Sequence, residues 1–125
     1  MSLVRVLVVE DNSKNLKLVR DVLTYSGFEV IEATCGEDGV RLAQETAPDL
    51  ILMDLQLPGI DGTEALRRIR KTGNQVPVVA VTAFAMNNDR VLAFDAGFDG
   101  YVEKPISVTA LSQQVSDFLK LGGTR

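Results

Sequence analysis

Five short apolar runs, each followed by a stretch with helical spacing, restrict what this chain can fold into more than any other feature. The runs are Arg5–Val9, 28–33, 50–53, 78–81 and 100–102. The first is almost unbroken in branched residues, the pattern of a strand buried on both faces, as in a parallel sheet. Between the runs lie helix signals. Asn12 or Ser13 is placed to cap a helix carrying Leu16, Val19, Val22 and Leu23, and Gly27 stops it. Gly36 opens a second helix with Val40, Ala43 and Ala47 on one face, ended by Pro48. A turn over 57–62 hands over to a third, with Asp61 as cap and Leu66 and Ile69 inward. A fourth is expected over 87–96, stopping at Gly97, and Ser107 caps a last one with Leu111, Val115, Phe118 and Leu119.

Repeated βα units argue a parallel sheet covered by helices on both faces. Right-handed crossovers with one change of winding direction give a flavodoxin-like, doubly wound α/β fold of strand order 2-1-3-4-5. Strands one and three are then neighbours, so Glu10 and Asp11, after the first, meet Asp54, after the third. Strands four and five bring Thr82 and Lys104 to the same edge. Open α/β sheets keep their sites in the crevice at that carboxyl edge. Carboxylates crowded there repel unless a cation sits among them, and an oxygen-rich set suits a hard ion such as Mg²⁺ or Mn²⁺. A carboxylate beside such an ion can attack phosphorus, with a lysine pairing the phosphoryl oxygens.

Composition sets the outer limits. At 125 residues and 46% hydrophobic content, the chain suits one domain over 1–125. A net charge of -4 without a basic run argues against direct nucleic-acid or anionic-membrane binding, which leaves proteins as the expected partners. No stretch is long and apolar enough to span a bilayer and no charged-then-apolar leader is visible, so the expected location is cytoplasmic. Cys35 is alone and reads as a small residue at a strand end. Histidine is absent, which removes histidine acid–base chemistry, metal ligation and a phosphohistidine-carrier role from the chain itself.

The set as a whole resembles the receiver domain of two-component response regulators, over residues 4–119. It comprises the acidic pair Glu10-Asp11, Asp54 after the third strand, Thr82-Ala83 after the fourth and Lys104-Pro105 after the fifth. The stretches Val9-Glu10-Asp11-Asn12, Asp49-Leu50-Ile51-Leu52-Met53-Asp54 and Val81-Thr82-Ala83-Phe84-Ala85-Met86 look like single-domain receivers of bacterial cell-cycle circuits and receivers attached to hybrid histidine kinases. The resemblance implies that Asp54 accepts a phosphoryl group from the phosphohistidine of a histidine kinase or phosphotransfer protein. It implies that Asp11 binds Mg²⁺ directly, Glu10 holds it through water, and the Gln56 backbone carbonyl completes the ligands beside Asp54. It further implies that Lys104 pairs with the phosphoryl oxygens, Thr82 swings toward them, Tyr101 follows inward, and the Lys104-Pro105 bond is cis.

By this reading the domain is a switch with weak autodephosphorylation rather than an enzyme. Its output protein, or a second copy on phosphorylation, engages the face of the fourth helix, fifth strand and fifth helix. On that fourth helix Leu92 and Ala96 form an i, i+4 stripe, while Phe94 lies about 200° away and faces outward one turn after Arg90. Rival readings are weaker. A haloacid-dehalogenase-like phosphatase needs a second aspartate two positions after the first, where this chain has Gln56. A flavodoxin needs a phosphate-cradling loop after strand one, where Glu10-Asp11 would repel the phosphate. The runner-up is a receiver-like module that docks partners independently of phosphorylation.

Overall fold

Along the first strand, β1 (Arg5–Val9), successive side chains feed two different cores. Leu7 and Val9 belong to one, Val6 and Val8 to the other, as the two-residue period of a strand requires. The structure, a computed structural model, describes residues 3–83 and 95–123. Within it β2 (Glu29–Ala33), β3 (Leu50–Asp54), β4 (Val78–Thr82) and β5 (Gly100–Glu103) join β1 in one parallel sheet of order β2-β1-β3-β4-β5. This is the topology the sequence predicts. The order reverses between β1 and β3, and that reversal opens the crevice used below.

Helices α2 (Gly36–Thr46) and α3 (Gly62–Lys71) cover one face of the sheet, burying Ala43, Ala65, Leu66 and Ile69 against Leu7, Ile51, Met53 and Val78. Helix α1 (Ser13–Tyr25) and the C-terminal helix (Leu111–Gly123) cover the other, where Leu16, Val19, Leu23, Leu111 and Val115 meet Val6, Leu52, Val79 and Val102. Ile51 and Met53 have no accessible surface, and removing a side chain of that size from water stabilises by about 1.5–3 kcal/mol. Among the described residues no helix is long and apolar enough to cross a membrane.

Caps set the helix starts. The Asn12 side chain accepts the N–H groups of Lys14 at 3.0 Å and Asn15 at 3.1 Å, so of the two candidates Asn12 is the cap. Asp61 accepts Glu64 N at 2.8 Å, and Ser107 Oγ accepts Ala110 N at 3.2 Å in the turn that leads into the C-terminal helix. One expectation fails. Ala47 does not continue the apolar stripe of α2; it is exposed and left-handed at φ 47, just past the helix end. The following Pro48 disfavours helical backbone at Ala47, and this outweighs the i, i+4 spacing from Ala43. Of the helix expected over 87–96, residues 95–96 are helical and Gly97 follows at φ 104. Phe94, Arg90 and Leu92 lie outside the described residues.

Candidate functional site

Each functional side chain stands where a strand ends. Asp54 is the last residue of β3, in register with Val81 of β4, and Leu55 N donates to Val81 O at 3.1 Å. Glu10 follows β1, fixed by its N–H on Ala33 O at 2.9 Å. Lys104 follows β5, its N–H on Thr82 O at 2.8 Å. These ladder bonds bring groups from distant parts of the chain together. Lys104 Nζ reaches Asp54 Oδ2 at 2.9 Å and Glu10 Oε1 at 3.0 Å. The other oxygens are held by backbone: Asp54 Oδ1 accepts Gln56 N at 3.0 Å, and Glu10 Oε2 accepts Asn12 N at 3.2 Å. The Lys104-Pro105 peptide is cis.

Asp54 and Glu10 are buried, at 4% and 3% exposure, while Asp11 is open to solvent. One carboxylate oxygen from each of Glu10, Asp11 and Asp54 lies within 4.8 Å of the others. Like charges this close in a partly desolvated pocket cannot all ionise freely. Burial pushes the Glu10 carboxyl up to about 7, its hydrogen bond with Asp54 adds to the rise, and Lys104 only partly offsets it. For Lys104 burial alone would lower the ammonium, but the hydrogen bonds to Asp54 and Glu10 outweigh it and the net shift is upward. Three clustered carboxylates facing one ammonium are therefore short of positive charge. Their oxygen-only chemistry suits a hard divalent cation with a water-accessible side, which Asp11 supplies.

Thr82 closes β4 and is 6% exposed. It is in register with Glu103, as Ala80 is with Tyr101, so Thr82, Tyr101 and Glu103 share the α2/α3 face near the carboxyl edge. The Tyr101 ring is half-buried against that core, and its hydroxyl donates to Glu103 Oε1 at 3.3 Å. The fold thus assembles Glu10, Asp11, Asp54 and Lys104, with Gln56 two residues beyond Asp54, and sets Thr82 and Tyr101 alongside. Phe94 and Arg90 fall outside the described residues. Sequence reading missed Glu103 as a partner of Tyr101, although its i, i+2 position on one strand face was a signal. It also missed how closely Gly62 approaches Asp54: a Cβ there would strike the Asp54 carbonyl oxygen and come within 3.0 Å of Leu55 Cα.

A doubly wound parallel sheet with a carboxylate cluster and a lysine at its switch point defines the class, a flavodoxin-like α/β domain with an acidic site at its carboxyl edge. The chain belongs to the response regulator receiver domain family, whose model matches residues 6–116. It is 41% identical over 116 residues to the polar-differentiation response regulator DivK of Brucella ovis, a match covering 91% of this chain and 94% of that protein. Among solved structures it is similar to the receiver domain of a sensor histidine kinase from Pseudomonas aeruginosa PAO1, described with a magnesium ion coordinated in the active site cleft. There the identity is 34% and the TM-score 0.87, covering 95% of this chain and 99% of that one. A CheY-like receiver domain protein from Methanospirillum hungatei superposes with TM-score 0.89 at 28% identity, covering 98% of both chains. Both kinds of receiver that the sequence resembles, cell-cycle and kinase-attached, are thus represented.

Proposed function

We propose that this chain is a phosphorylation-dependent switch of a two-component system, with Asp54 as phosphoryl acceptor and Mg²⁺ or Mn²⁺ as cofactor. The observation that carries the reading is the environment of Asp54: a buried carboxylate with one oxygen on Lys104 and the other on the Gln56 amide, beside Glu10 and Asp11. A carboxylate oxygen of Asp54 attacks the phosphorus of a phosphohistidine on a histidine kinase or phosphotransfer protein. The P–N bond breaks, the imidazole leaves with the bonding pair, and Asp54 becomes an acyl phosphate. Lys104, already 2.9 Å from Asp54 Oδ2, is placed to pair with the incoming oxygens. Asp11 and Asp54 would ligate the cation directly, Glu10 through water, and the Gln56 carbonyl would complete the protein ligands. When bound, the cation supplies charge neutralisation for the phosphoryl group. Attack of water on the acyl phosphate in the same pocket returns the carboxylate, so turnover is slow self-hydrolysis rather than enzymology.

The buried Thr82 hydroxyl, next along the carboxyl edge, moves toward the new oxygens, and Tyr101 shifts with it. This alters the face formed by β5 and the C-terminal helix. That face is where an output protein, or a second copy on phosphorylation, binds. The setting is cytoplasmic, with the kinase as the upstream protein. Intact-mass measurement after incubation with acetyl phosphate and Mg²⁺ tests the reading. One phosphate adduct is expected on the wild type and none on Asp54→Asn; a wild type that never acquires it leaves the phosphorylation-independent docking module as the better description.

A further inference from the structure

The loop over 55–61 carries Gln56 from Asp54 to α3, and it is held at more points than its turn chemistry demands. At its far end Gly62 N donates to Leu55 O at 3.1 Å, and Gly62 itself lies against the Asp54 carbonyl. In its middle Leu55, Leu57 and Ile60 pack against the α2/α3 core. A further contact comes from α2. A Cβ at Gly36 would stand 2.5 Å from Ile60 Cγ1, 2.7 Å from the Ile60 carbonyl oxygen and 3.2 Å from Cδ1. The next residue, Glu37, lies over Gly59, where a Cβ would meet its carboxylate oxygens at 2.6 and 2.9 Å.

Gly36 is not among the glycines at positive φ, so nothing in its backbone requires glycine, and as the first residue of a helix alanine would be the better helix former. Space is the reason that remains. Because one of the obstructing atoms is a backbone carbonyl, a methyl group at Gly36 cannot be absorbed by a rotamer change alone; the loop must move. The Gln56 amide that anchors Asp54 Oδ1 lies four residues before Ile60 on that same loop.

We propose that Gly36 is a positioning residue for the acceptor site: by letting α2 lie directly on Ile60, it fixes the loop that aims Gln56 at Asp54. The consequence for cation binding rests on the function proposed above; the loop geometry does not. Two measurements on the whole chain keep these apart. In EDTA, amide exchange by NMR should show Gln56 N–H exchanging about tenfold faster in Gly36→Ala than in wild type, with the amides of Val8 and Leu52 unchanged. With Mg²⁺ titrated, Gly36→Ala should bind about tenfold more weakly, the lower end for residues that orient ligands. Adding Ile60→Ala removes the two side-chain atoms but leaves the carbonyl oxygen, so recovery should be partial: Gly36→Ala/Ile60→Ala should differ from Ile60→Ala alone by about threefold in both values, against about tenfold between Gly36→Ala and wild type. If Gly36→Ala does not fold, the comparison of Gly36→Ala/Ile60→Ala with Ile60→Ala carries the test. Unchanged Gln56 exchange in Gly36→Ala, or no recovery in the double variant, overturns the proposal. Absence of Mg²⁺ binding by the wild type would count against the cation reading alone, since the exchange measurement needs no metal.

Discussion

The two edges of the sheet use the same residue type in opposite ways. At the amino edge Asp49, just before β3, accepts Arg5 N at 2.9 Å while its own N–H donates to Arg5 O at 2.9 Å. Asp99, just before β5, does the same for β4: it accepts Val78 N at 2.9 Å, donates to Val78 O at 2.8 Å, and pairs with Arg70 at 3.0 Å. There each aspartate answers the first N–H of a neighbouring strand. At the carboxyl edge Glu10, Asp11 and Asp54 converge on one another, and Glu10 and Asp54 share one lysine. A carboxylate at a strand start completes the ladder; the same carboxylates at strand ends leave a charge imbalance that only an added cation or proton relieves. Stability is built into the first edge and withheld from the second.

The largest effect should come from breaking the amino edge. Asp99→Ala leaves the Val78 N–H and the Arg70 guanidinium without this acceptor, and urea unfolding should show a loss of about 2–3 kcal/mol. A loss below about 0.5 kcal/mol would show that the bridge is ornamental and the contrast unfounded.

The second test is pH. Glu10 rises from an ordinary 4.5 to about 7 on folding, because of burial first and Asp54 second. A carboxyl raised in this way binds its proton more tightly in the folded chain. Its contribution is complete below the unfolded value and is lost as pH rises through the folded one. In EDTA the wild type should therefore lose on the order of 2 kcal/mol between about pH 5 and 8, and Glu10→Gln should lose much less over the same range. Parallel pH profiles for the two proteins would place the titration elsewhere.

The smallest effect is the gain from relieving repulsion. Asp54→Asn removes one of the clustered charges but also its pairing with Lys104, so the net rise in EDTA at pH 8 should be only about 1 kcal/mol, shrinking toward pH 5 as Glu10 protonates. Asp11→Asn, on the exposed carboxylate, should gain less. Mg²⁺ should raise the melting temperature of wild type and do little for Asp54→Asn. Equal or lower melting of both variants in EDTA would mean that the cluster carries no net repulsion.

Much of this was legible in the residues because parallel βα topology turns sequence order into spatial order. Once five strands are read and wound with one reversal, the residues after strands one, three, four and five must share an edge. Glu10, Asp11, Asp54, Thr82 and Lys104 therefore assemble without knowledge of a single contact. What was not legible depends on close approach rather than order. Gly36 against Ile60 joins a helix start to a loop with no periodic signal, and the Tyr101 hydroxyl on Glu103 depends on which way a half-buried ring leans. Ala47 was misplaced because helical spacing is a statement about side chains, whereas Pro48 acts on the backbone before it. The reciprocal aspartates at 49 and 99 were also passed over. An aspartate beside a strand start reads as a turn residue until the neighbouring strand is known.

The alternation described for β1 continues across the sheet, and it makes the sheet a partition wall. Side chains on the α2/α3 side and those on the side of α1 and the C-terminal helix form two separate clusters, with the strand backbones between them. Substitutions on opposite sides should combine additively, whereas pairs on one side should not. Over evolutionary drift the two compartments can be refurnished independently, one holding Tyr101 and the other carrying α1, while the wall itself keeps Asp54 in place.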